Sequence, residues 1–398
     1  METNHIKLNL QYISMQIPYW MGFSVLGGFT SVFLLSRDFS NGQIGMVLSL
    51  ANLLAAVCQP FLASFADRMV RVRLSQLAAG MALLLVLFSG ILLALPKAFL
   101  IVAVIYVLLY ASLVLLQPMT ISIGTFFISR GYGLNFGVAR GLGSLAFAGA
   151  ASVTGVLIER FSPTIILYLL IGIFLLFAVM ALLIDTRKQD GKYSESLLTE
   201  HHREGSLEEP IGLIEFTKKY KRFIFLLFGV SLLFVYHTII NSYMFQIMQP
   251  LGGTAANAGS SLSIAALSEL PTMFLFTWVL RRFKIHSLMR VAAFFFSVKA
   301  VLILFAGSIF LINVAQSLQM VGFAMHTMAS VYYTNQIIPQ KDLIKGQTLM
   351  ATANTIGGII GAFVGGQMLS FLSVSAMLMI GTLISLVGTV IVWLSVEK

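Results

Sequence analysis

The amino-acid sequence predicts an all-α membrane protein of twelve transmembrane helices, arranged as two pseudo-symmetric six-helix bundles. Hydrophobic residues make up 58% of the 398 residues and charged residues only 10%, a composition outside the range of soluble globular proteins. Uninterrupted apolar runs, among them 78–96, 99–118 and 164–184, have the roughly 20 residues that a helix needs to cross about 30 Å of hydrocarbon. Lys and Arg are concentrated in alternate connections between these runs, as expected for a multi-span protein.

Turn-forming and charged residues separate the apolar runs and predict the position of each span. The first six spans are expected near 11–34, 41–65, 74–95, 98–121, 137–159 and 163–184. The last six are expected near 223–248, 255–280, 287–308, 310–336, 346–370 and 372–395. The first run lacks the short apolar core and cleavage site of a secretory signal, so we expect it to be kept as a span. Cys58 is the only cysteine, so no disulfide framework is expected.

A charged segment at 186–222, poor in large apolar residues, separates the two sets of six spans. This composition is typical of a linker. The expected domains are an N-terminal six-helix bundle at 1–185, a cytoplasmic linker at 186–222 and a C-terminal six-helix bundle at 223–398.

The distribution of basic residues predicts the orientation. If the N-terminus lies in the cytoplasm, the outer connections hold only Arg37, Lys97 and Arg160, and most other Lys and Arg fall in inner connections. This asymmetry predicts a multi-pass protein of the cell inner membrane with both termini in the cytoplasm. It also accounts for the formal net charge of +10, so no nucleic-acid partner is expected.

The two predicted halves carry similar basic segments, FADRMVRVR (65–73) after the second span and VLRRFKIHS (279–287) after the eighth. The first of these resembles the cytoplasmic signature of the major facilitator superfamily, in which an Asp-Arg pair and further basic residues join spans two and three. Asp67 and Arg68 match it, and Met69 and Val70 stand where a small residue or glycine is usual. The resemblance implies a gating motif between the two halves that contains Asp67, Arg68 and Arg71. A charged loop that follows the positive-inside rule is the alternative.

A second resemblance begins in the fifth span, where NFGVARGLGSLAF (135–147) is similar to the lactose-permease-like group of oligosaccharide:proton symporters. It implies that Arg140 pairs with sugar hydroxyls and carboxylates and that Phe147 stacks on a sugar ring. SELPTMFLF (268–276) similarly places Glu269 at the acidic residue of the eighth span. FSVKAVL (296–302) places Lys299 at a basic residue of the ninth.

The sequence departs from that group at three positions. The carboxylate of the fourth span falls near Ser122, and the His and Glu of the tenth span fall at Gln319 and Gly322. QSLQMVGFAMHTMASVYY (316–333) instead resembles the tenth span of a broader group that includes phenylpropionate and nucleoside permeases, which implies a role for His326.

Ionisable groups inside apolar spans are costly and usually face a water-filled pathway, so each is a candidate functional residue. Glu269 lies well inside its span, and Pro271 is expected to break the helix two residues later and free a carbonyl. A carboxylate there can alternate between its protonated and ionised forms, which is what proton coupling needs. A structural salt bridge to Lys299 is the alternative, and a pair that breaks on protonation would combine both roles.

The remaining candidates would line a solute site. His237 and Asn241 are four residues apart and share a helix face, where they could bind solute or join neighbouring helices. His326 belongs to the residue type that titrates near physiological pH. Gln16, Tyr19 and Trp20 form an aromatic and amide group in the first span. Arg140 could instead extend toward the lipid headgroups.

These observations predict a secondary active transporter, a proton-coupled symporter that imports a small polar solute, such as a sugar or related metabolite, by alternating access. The alternative is a proton-driven efflux antiporter, although the fifth span lacks the Gly-Pro dipeptide of many such exporters. A sensor built on the same fold is a third possibility. The sequence contains no phosphate-binding loop, no HExxH helix and no His and Cys cluster with metal-ligand spacing. We therefore expect that the protein is not an enzyme and that it uses the proton gradient without a cofactor or metal. The expected partners are the solute, protons and the lipid bilayer, with a monomer as the functional unit.

Overall fold

The computed structural model describes residues 2–68, 72–95, 99–128, 134–184 and 212–397. Within these ranges the chain forms helices joined by short connections, and no strand occurs in them. Twelve helices of the described ranges are long and apolar enough to cross a membrane, which confirms the predicted fold class. Most of the expected linker, residues 185–211, lies outside the described residues, so the domain boundaries stay a prediction.

The membrane-spanning helices are named α1 to α12 in chain order. The first six are α1 (Glu2–Ser36), α2 (Asn41–Arg68), α3 (Leu74–Ala94), α4 (Phe99–Ile128), α5 (Phe136–Arg160) and α6 (Ile165–Leu182). The last six are α7 (Lys221–Ser242), α8 (Ala255–Arg282), α9 (Ile285–Leu304), α10 (Ile309–Ile337), α11 (Leu343–Phe371) and α12 (Val374–Ser395). Short helices at Leu213–Lys219 and Met244–Met248 precede and follow α7. The first half therefore comprises α1–α6 and the second half α7–α12.

The span predicted near 310–336 is present as α10, Ile309–Ile337, but it is not one continuous α-helix. It consists of α10a (Ile309–Ser317), a 3-10 turn at Leu318–Met320 and α10b (Phe323–Ile337). Gly322 at the start of α10b has the non-helical angles φ −78° and ψ −86°. The hydroxyl of Thr272 in α8 donates to the carbonyl oxygen of Met320 at 2.8 Å, which satisfies one backbone group released by the interruption.

The expected break at Pro271 is wrong, because α8 continues through this residue from Ala255 to Arg282. Proline removes one backbone donor and can kink a helix, but neighbouring helices often support the segment in a membrane protein. Here the Thr272 hydroxyl bonds to α10 directly after the proline.

The two halves pack closely through α5 with α8 and through α2 with α11. A Cβ atom at Gly155 would lie 2.6 Å from the carbonyl oxygen of Ala255, and one at Gly45 would lie 2.7 Å from that of Ala362. Glycine at these positions allows the two backbones to touch, as is usual where membrane helices pack closely. A Cβ atom at Gly366 of α11 would likewise lie 2.5 Å from the carbonyl oxygen of Asn41.

Hydrogen bonds between the halves, among the described residues, lie from the middle of the bundle toward the end remote from the chain termini, which we call the far end. Glu159 at the end of α5 accepts from the backbone N–H of Ala256 in the first turn of α8 at 2.8 Å, where the helix dipole favours a carboxylate. Gly42 at the start of α2 donates to the hydroxyl of Ser370 in α11 at 2.7 Å. The structure is therefore closed at the far end.

Gly259→Ala is expected to separate the halves at the far end, because its methyl group would collide with the carbonyl oxygen of Ala151 in α5. Overpacking of this kind costs about 1–3 kcal/mol. In a Cys58→Ser background, a Ser263→Cys variant at this buried contact should then react faster with a water-soluble maleimide. Gly149→Ala in α5 is the control, since an added Cβ there has nothing within 4 Å. Equal labelling rates would contradict the proposed role of this packing.

Candidate functional site

The residues predicted for proton coupling and solute binding fall into three groups, each with its own internal contacts. The first-half cluster contains Gln16, Tyr19, Trp20, Phe23, Arg140 and Phe147. The charge relay contains Glu269, Gln319 and Lys299. The second-half cluster contains Phe234, His237, Asn241, Phe296, Phe323 and His326.

Arg140 and Trp20 form the centre of the first-half cluster. The guanidinium carbon lies 3.8 Å from the centroid of the indole ring, a cation–π contact that strengthens where water is excluded. One guanidinium nitrogen also donates to the hydroxyl of Ser144, one helical turn further along α5, at 2.6 Å. Gly143 lets Trp20 lie against α5, because a Cβ atom there would collide with the indole. One face of the indole is thus covered by Arg140 and is not open to a solute in this structure.

Gln16 orients the indole through a ladder of hydrogen bonds along α1. The indole N–H of Trp20 donates to the Gln16 amide oxygen at 3.1 Å, and the Gln16 amide nitrogen donates to the hydroxyl of Tyr12 at 2.8 Å. Tyr12 in turn donates to the carbonyl oxygen of Thr120 in α4 at 3.1 Å. Gln16 thereby positions Trp20. Its amide oxygen is bonded to Trp20 and its amide nitrogen to Tyr12.

A row of aromatic rings leads away from Arg140. Phe23 lies 5.6 Å from Trp20 and 6.4 Å from Phe147 between ring centroids, and all three side chains are partly exposed. Tyr19 packs edge-on against Trp20 at 5.1 Å. Its hydroxyl is buried and has no hydrogen-bond partner among the described residues, so the first-half cluster contains an unused polar atom.

The charge relay joins three helices of the second half. Gln319, in the turn between α10a and α10b, donates its amide N–H to a carboxylate oxygen of Glu269 in α8 at 2.9 Å. The amide oxygen of Gln319 accepts from the ammonium group of Lys299 in α9. Glu269 and Lys299 are only 7% and 6% exposed, and they form no direct ion pair. The sequence singles out both charged residues but not the amide that lies between them.

The relay is electrostatically linked to both clusters. The charge of Glu269 acts on Arg140 in α5 as well as on Lys299, and that of Lys299 acts on His237 in α7. Since Arg140 belongs to the first half, the field of the Glu269 carboxylate reaches across the boundary between the halves, although the two side chains form no ion pair. A charge so placed can favour one arrangement of the halves over another.

The second-half cluster surrounds two histidines with phenylalanine rings. His237 stacks on Phe323 with ring centroids 4.6 Å apart and planes 5° apart. Its Nε2 lies 2.9 Å from the amide nitrogen of Asn241, so the predicted shared face of these residues carries a direct contact. His326 meets Phe234 edge-on at 5.4 Å, and its Nε2 has no hydrogen-bond partner among the described residues although the side chain is 2% exposed.

The expected gating motif falls at the edge of the described residues. Asp67 and Arg68 end α2, but their side chains are outside the described part of the chain, as is the whole of Arg71. The matching basic segment after α8 lines a groove of about 980 Å³ together with Tyr332 and Gln336 of α10b. This groove lies at the terminal end of the second half and contains none of the predicted site residues.

Comparison with known proteins decides the family. The model of the MFS_1 like family matches residues 12–379. The chain belongs to this family. The resemblance to the major facilitator superfamily is thereby confirmed.

Relatives and solved structures of this superfamily agree with the assignment. The maltose permease of Geobacillus stearothermophilus is 24% identical over 385 residues, covering 95% of this chain and 92% of that protein. The crystal structure of the nucleoside transporter NupG superposes with a TM-score of 0.78 at 15% identity, covering 98% of this chain and 99% of that one. A bacterial homologue of the iron transporter ferroportin in an inward-facing state gives 0.71 at 12% identity, with 99% of each chain covered. The protein is thus a multi-pass membrane transporter of the major facilitator type.

The MFS_1 like assignment leaves the roles of individual residues open, and the geometry adds some that sequence reasoning missed. Gln319 bridges Glu269 and Lys299, Ser144 holds Arg140, and Phe323 stacks on His237. The one signal for Gln319 was its position, since it stands where the lactose-permease-like pattern has a histidine. Ser144 and Phe323 are ordinary residues for membrane helices and carry no comparable signal.

Gln319→Leu is expected to lower the unfolding temperature, because it leaves two buried charged groups without the amide that joins them. Each lost hydrogen bond to a charged group costs about 1.5–3 kcal/mol. In a double-mutant cycle with Glu269→Gln, measured by thermal unfolding in detergent, the two effects should be non-additive. Gln336→Leu, at an exposed position of α10b, is the matched control and should unfold like the wild type. Strict additivity would mean that the relay does not act as a unit.

Proposed function

We propose that this transporter is a proton-coupled symporter of the cell inner membrane, which imports a small polar solute by alternating access. The observation that carries the proposal is Glu269, a buried carboxylate linked through Gln319 to Lys299 and electrostatically to Arg140 in the other half. A proton-coupling group needs a carboxylate in a dry site whose protonation changes the balance between two arrangements.

The proposed orientation follows from the basic residues. Arg37 and Arg160 lie at the far end, whereas Arg281, Arg282 and Lys284 are among the many basic residues at the terminal end. Under the positive-inside rule the terminal end faces the cytoplasm. The structure is then the conformation closed toward the outside, with Glu159, Gly42 and their partners forming the outer closure.

Proton binding would act on the relay as follows. Ionised Glu269 balances the charge of Lys299 through the shared amide of Gln319. Protonation removes that negative charge and leaves the ammonium of Lys299 uncompensated in an apolar interior, which is costly. The protonated site therefore favours an arrangement in which Lys299 gains water or a solute ligand, and this couples the proton to solute movement.

The proposed solute is a sugar or a related metabolite. The partly exposed rings of Phe23 and Phe147 offer apolar faces beside the donors of Arg140, and His237 and Asn241 offer polar atoms from the second half. Aromatic faces with a few placed polar groups are typical of small-molecule sites. The maltose permease and the nucleoside transporter are similar proteins whose names refer to solutes with sugar rings. We further propose a monomer that needs only the proton gradient and no cofactor, since the site is formed by the two halves of one chain.

Glu269→Gln is expected to abolish proton movement while solute binding survives. In lightly buffered suspensions of cells or right-side-out vesicles, addition of a transported solute should make the medium more alkaline for the wild type and leave it unchanged for the variant. Glu215→Gln, on the exposed short helix before α7, is the control and should behave as the wild type.

Two results would count against the proposal. Acidification of the medium by the wild type would indicate proton-driven efflux instead of import. Solute binding with no pH change in either protein would indicate a uniporter or a sensor, and Glu269 would lose its coupling role.

A further inference from the structure

We infer that the solute is an anion, a hydroxylated ring compound that carries one carboxylate, and that Arg140 binds this carboxylate. The inference rests on the transport site proposed above and specifies its substrate class. Four features of the described residues carry it: the unused donors of Arg140, the charge balance of the site, the adjacent aromatic row and the linkage to the proton on Glu269.

Arg140 is held in place with most of its donors unused. The Trp20 indole covers one face of the guanidinium, and one of five N–H groups is directed at the Ser144 hydroxyl. Among the described residues no acidic side chain lies within ion-pair distance of Arg140. The edge of the guanidinium can therefore offer a fork of parallel N–H groups, the geometry that binds a carboxylate through both oxygens.

Within helices α1–α6, no acidic residue lies near the middle of the membrane, where a counter-ion for Arg140 would be needed. The acidic residues of α1–α6 are Glu2, Asp67 and Glu159, each at a helix end. Trp20, which covers Arg140, lies near the middle of the membrane-crossing part of α1, Lys7–Ser36. A cation at this depth is costly without a counter-ion.

The charge balance of the whole site points the same way. Counted in their ionised forms, Arg140 and Lys299 carry two positive charges and Glu269 carries one negative charge. With both histidines neutral, the site carries one net positive charge. A bound monoanion neutralises it, whereas a neutral sugar leaves it unchanged. A phosphate ester, with about −1.5 to −2 charges at pH 7, would overcompensate, so a carboxylate fits better.

The aromatic row explains why the carboxylate should be attached to a ring. Phe23 and Phe147 extend from the Arg140–Trp20 pair and are partly exposed. A solute whose carboxylate lies at Arg140 would place the adjoining ring along these two faces. We infer that its hydroxyl groups bind His237 and Asn241, the polar residues that the second half contributes to the proposed site.

The same charges link solute and proton. Protonation of Glu269 adds one positive charge to the site and so strengthens anion binding, and by thermodynamic reciprocity a bound anion strengthens proton binding to the same degree. The site with one proton and one monoanion has the same net charge as the empty, ionised site. Transport of such a solute is therefore electroneutral, whereas proton symport of a neutral sugar moves one charge per cycle.

The test uses purified full-length protein and matched pairs of solutes, glucose with glucuronate and galactose with galacturonate. Binding is measured by the shift in thermal unfolding across a concentration series, and uptake is measured in proteoliposomes at a fixed pH gradient with and without a potential set by potassium and valinomycin. The acid of a pair should bind at least about tenfold more tightly than its neutral partner. Its uptake should depend on the pH gradient and not on the potential.

Three variants separate the role of Arg140 from general damage. Arg140→Gln should reduce the preference for the acid to near onefold, and Arg140→Lys, which keeps the charge but loses the fork, should retain part of it. Arg37→Gln is the matched control. The Arg37 guanidinium also lies over an aromatic ring, that of Phe33 at 5.4 Å, but Arg37 follows α1 at the far end of the bundle, away from the proposed site. This variant should keep the full preference.

Each contrary outcome has a distinct meaning. Equal or tighter binding of the neutral sugar, with potential-dependent proton uptake, overturns the anion inference and leaves proton-coupled sugar symport standing. Binding without proton movement for either member of a pair overturns both. If no member of any pair binds, the sugar class and its acid form are both wrong.

Discussion

The bilayer interior offers no water to a charged side chain, and this constraint shapes the centre of the protein. Glu269 and Lys299 occupy the interior with protein groups in place of their hydration, whereas for Arg140 protein groups replace only part of it. Gln319 supplies the shared amide for the first two, and the Trp20 ring together with Ser144 supplies the environment of the third. The interruption of α10 follows from the same need, since Gln319 lies in the turn that joins its two segments.

Contacts between the halves have a different character from contacts within them. Large aromatic side chains fill each half, whereas α5 with α8 and α2 with α11 meet through glycine and small polar residues. Within a half, interlocked aromatic side chains prevent neighbouring helices from sliding past each other. A densely packed core can switch between discrete arrangements but does not deform continuously. Two rigid bundles joined by smooth surfaces are suited to move relative to each other as units.

Hydropathy and charge placement were sufficient to predict the twelve spans, and the rarity of charged residues in spans was sufficient to select Glu269, Lys299 and Arg140. Neither property records which helices are neighbours, so the bridging position of Gln319 and the stacking of Arg140 on Trp20 had to come from the structure. Pro271 was expected to break α8 and does not, while α10 is interrupted at Gly322 without a proline. In both cases contacts between helices, such as Thr272 with Met320, outweigh the local preference of the chain.

The carboxylate of Glu159 is exposed where it accepts from the N–H of Ala256. Both groups can exchange this bond for bonds to water at little cost, because a solvent-exposed hydrogen bond contributes little net free energy. The far end can thus separate without leaving a dry, unsatisfied polar group at its rim. In the proposed transport cycle, this rim contact therefore adds little to the energy difference between the closed and open states of the far end, and the buried packing of α5 on α8 and of α2 on α11 has to supply most of it.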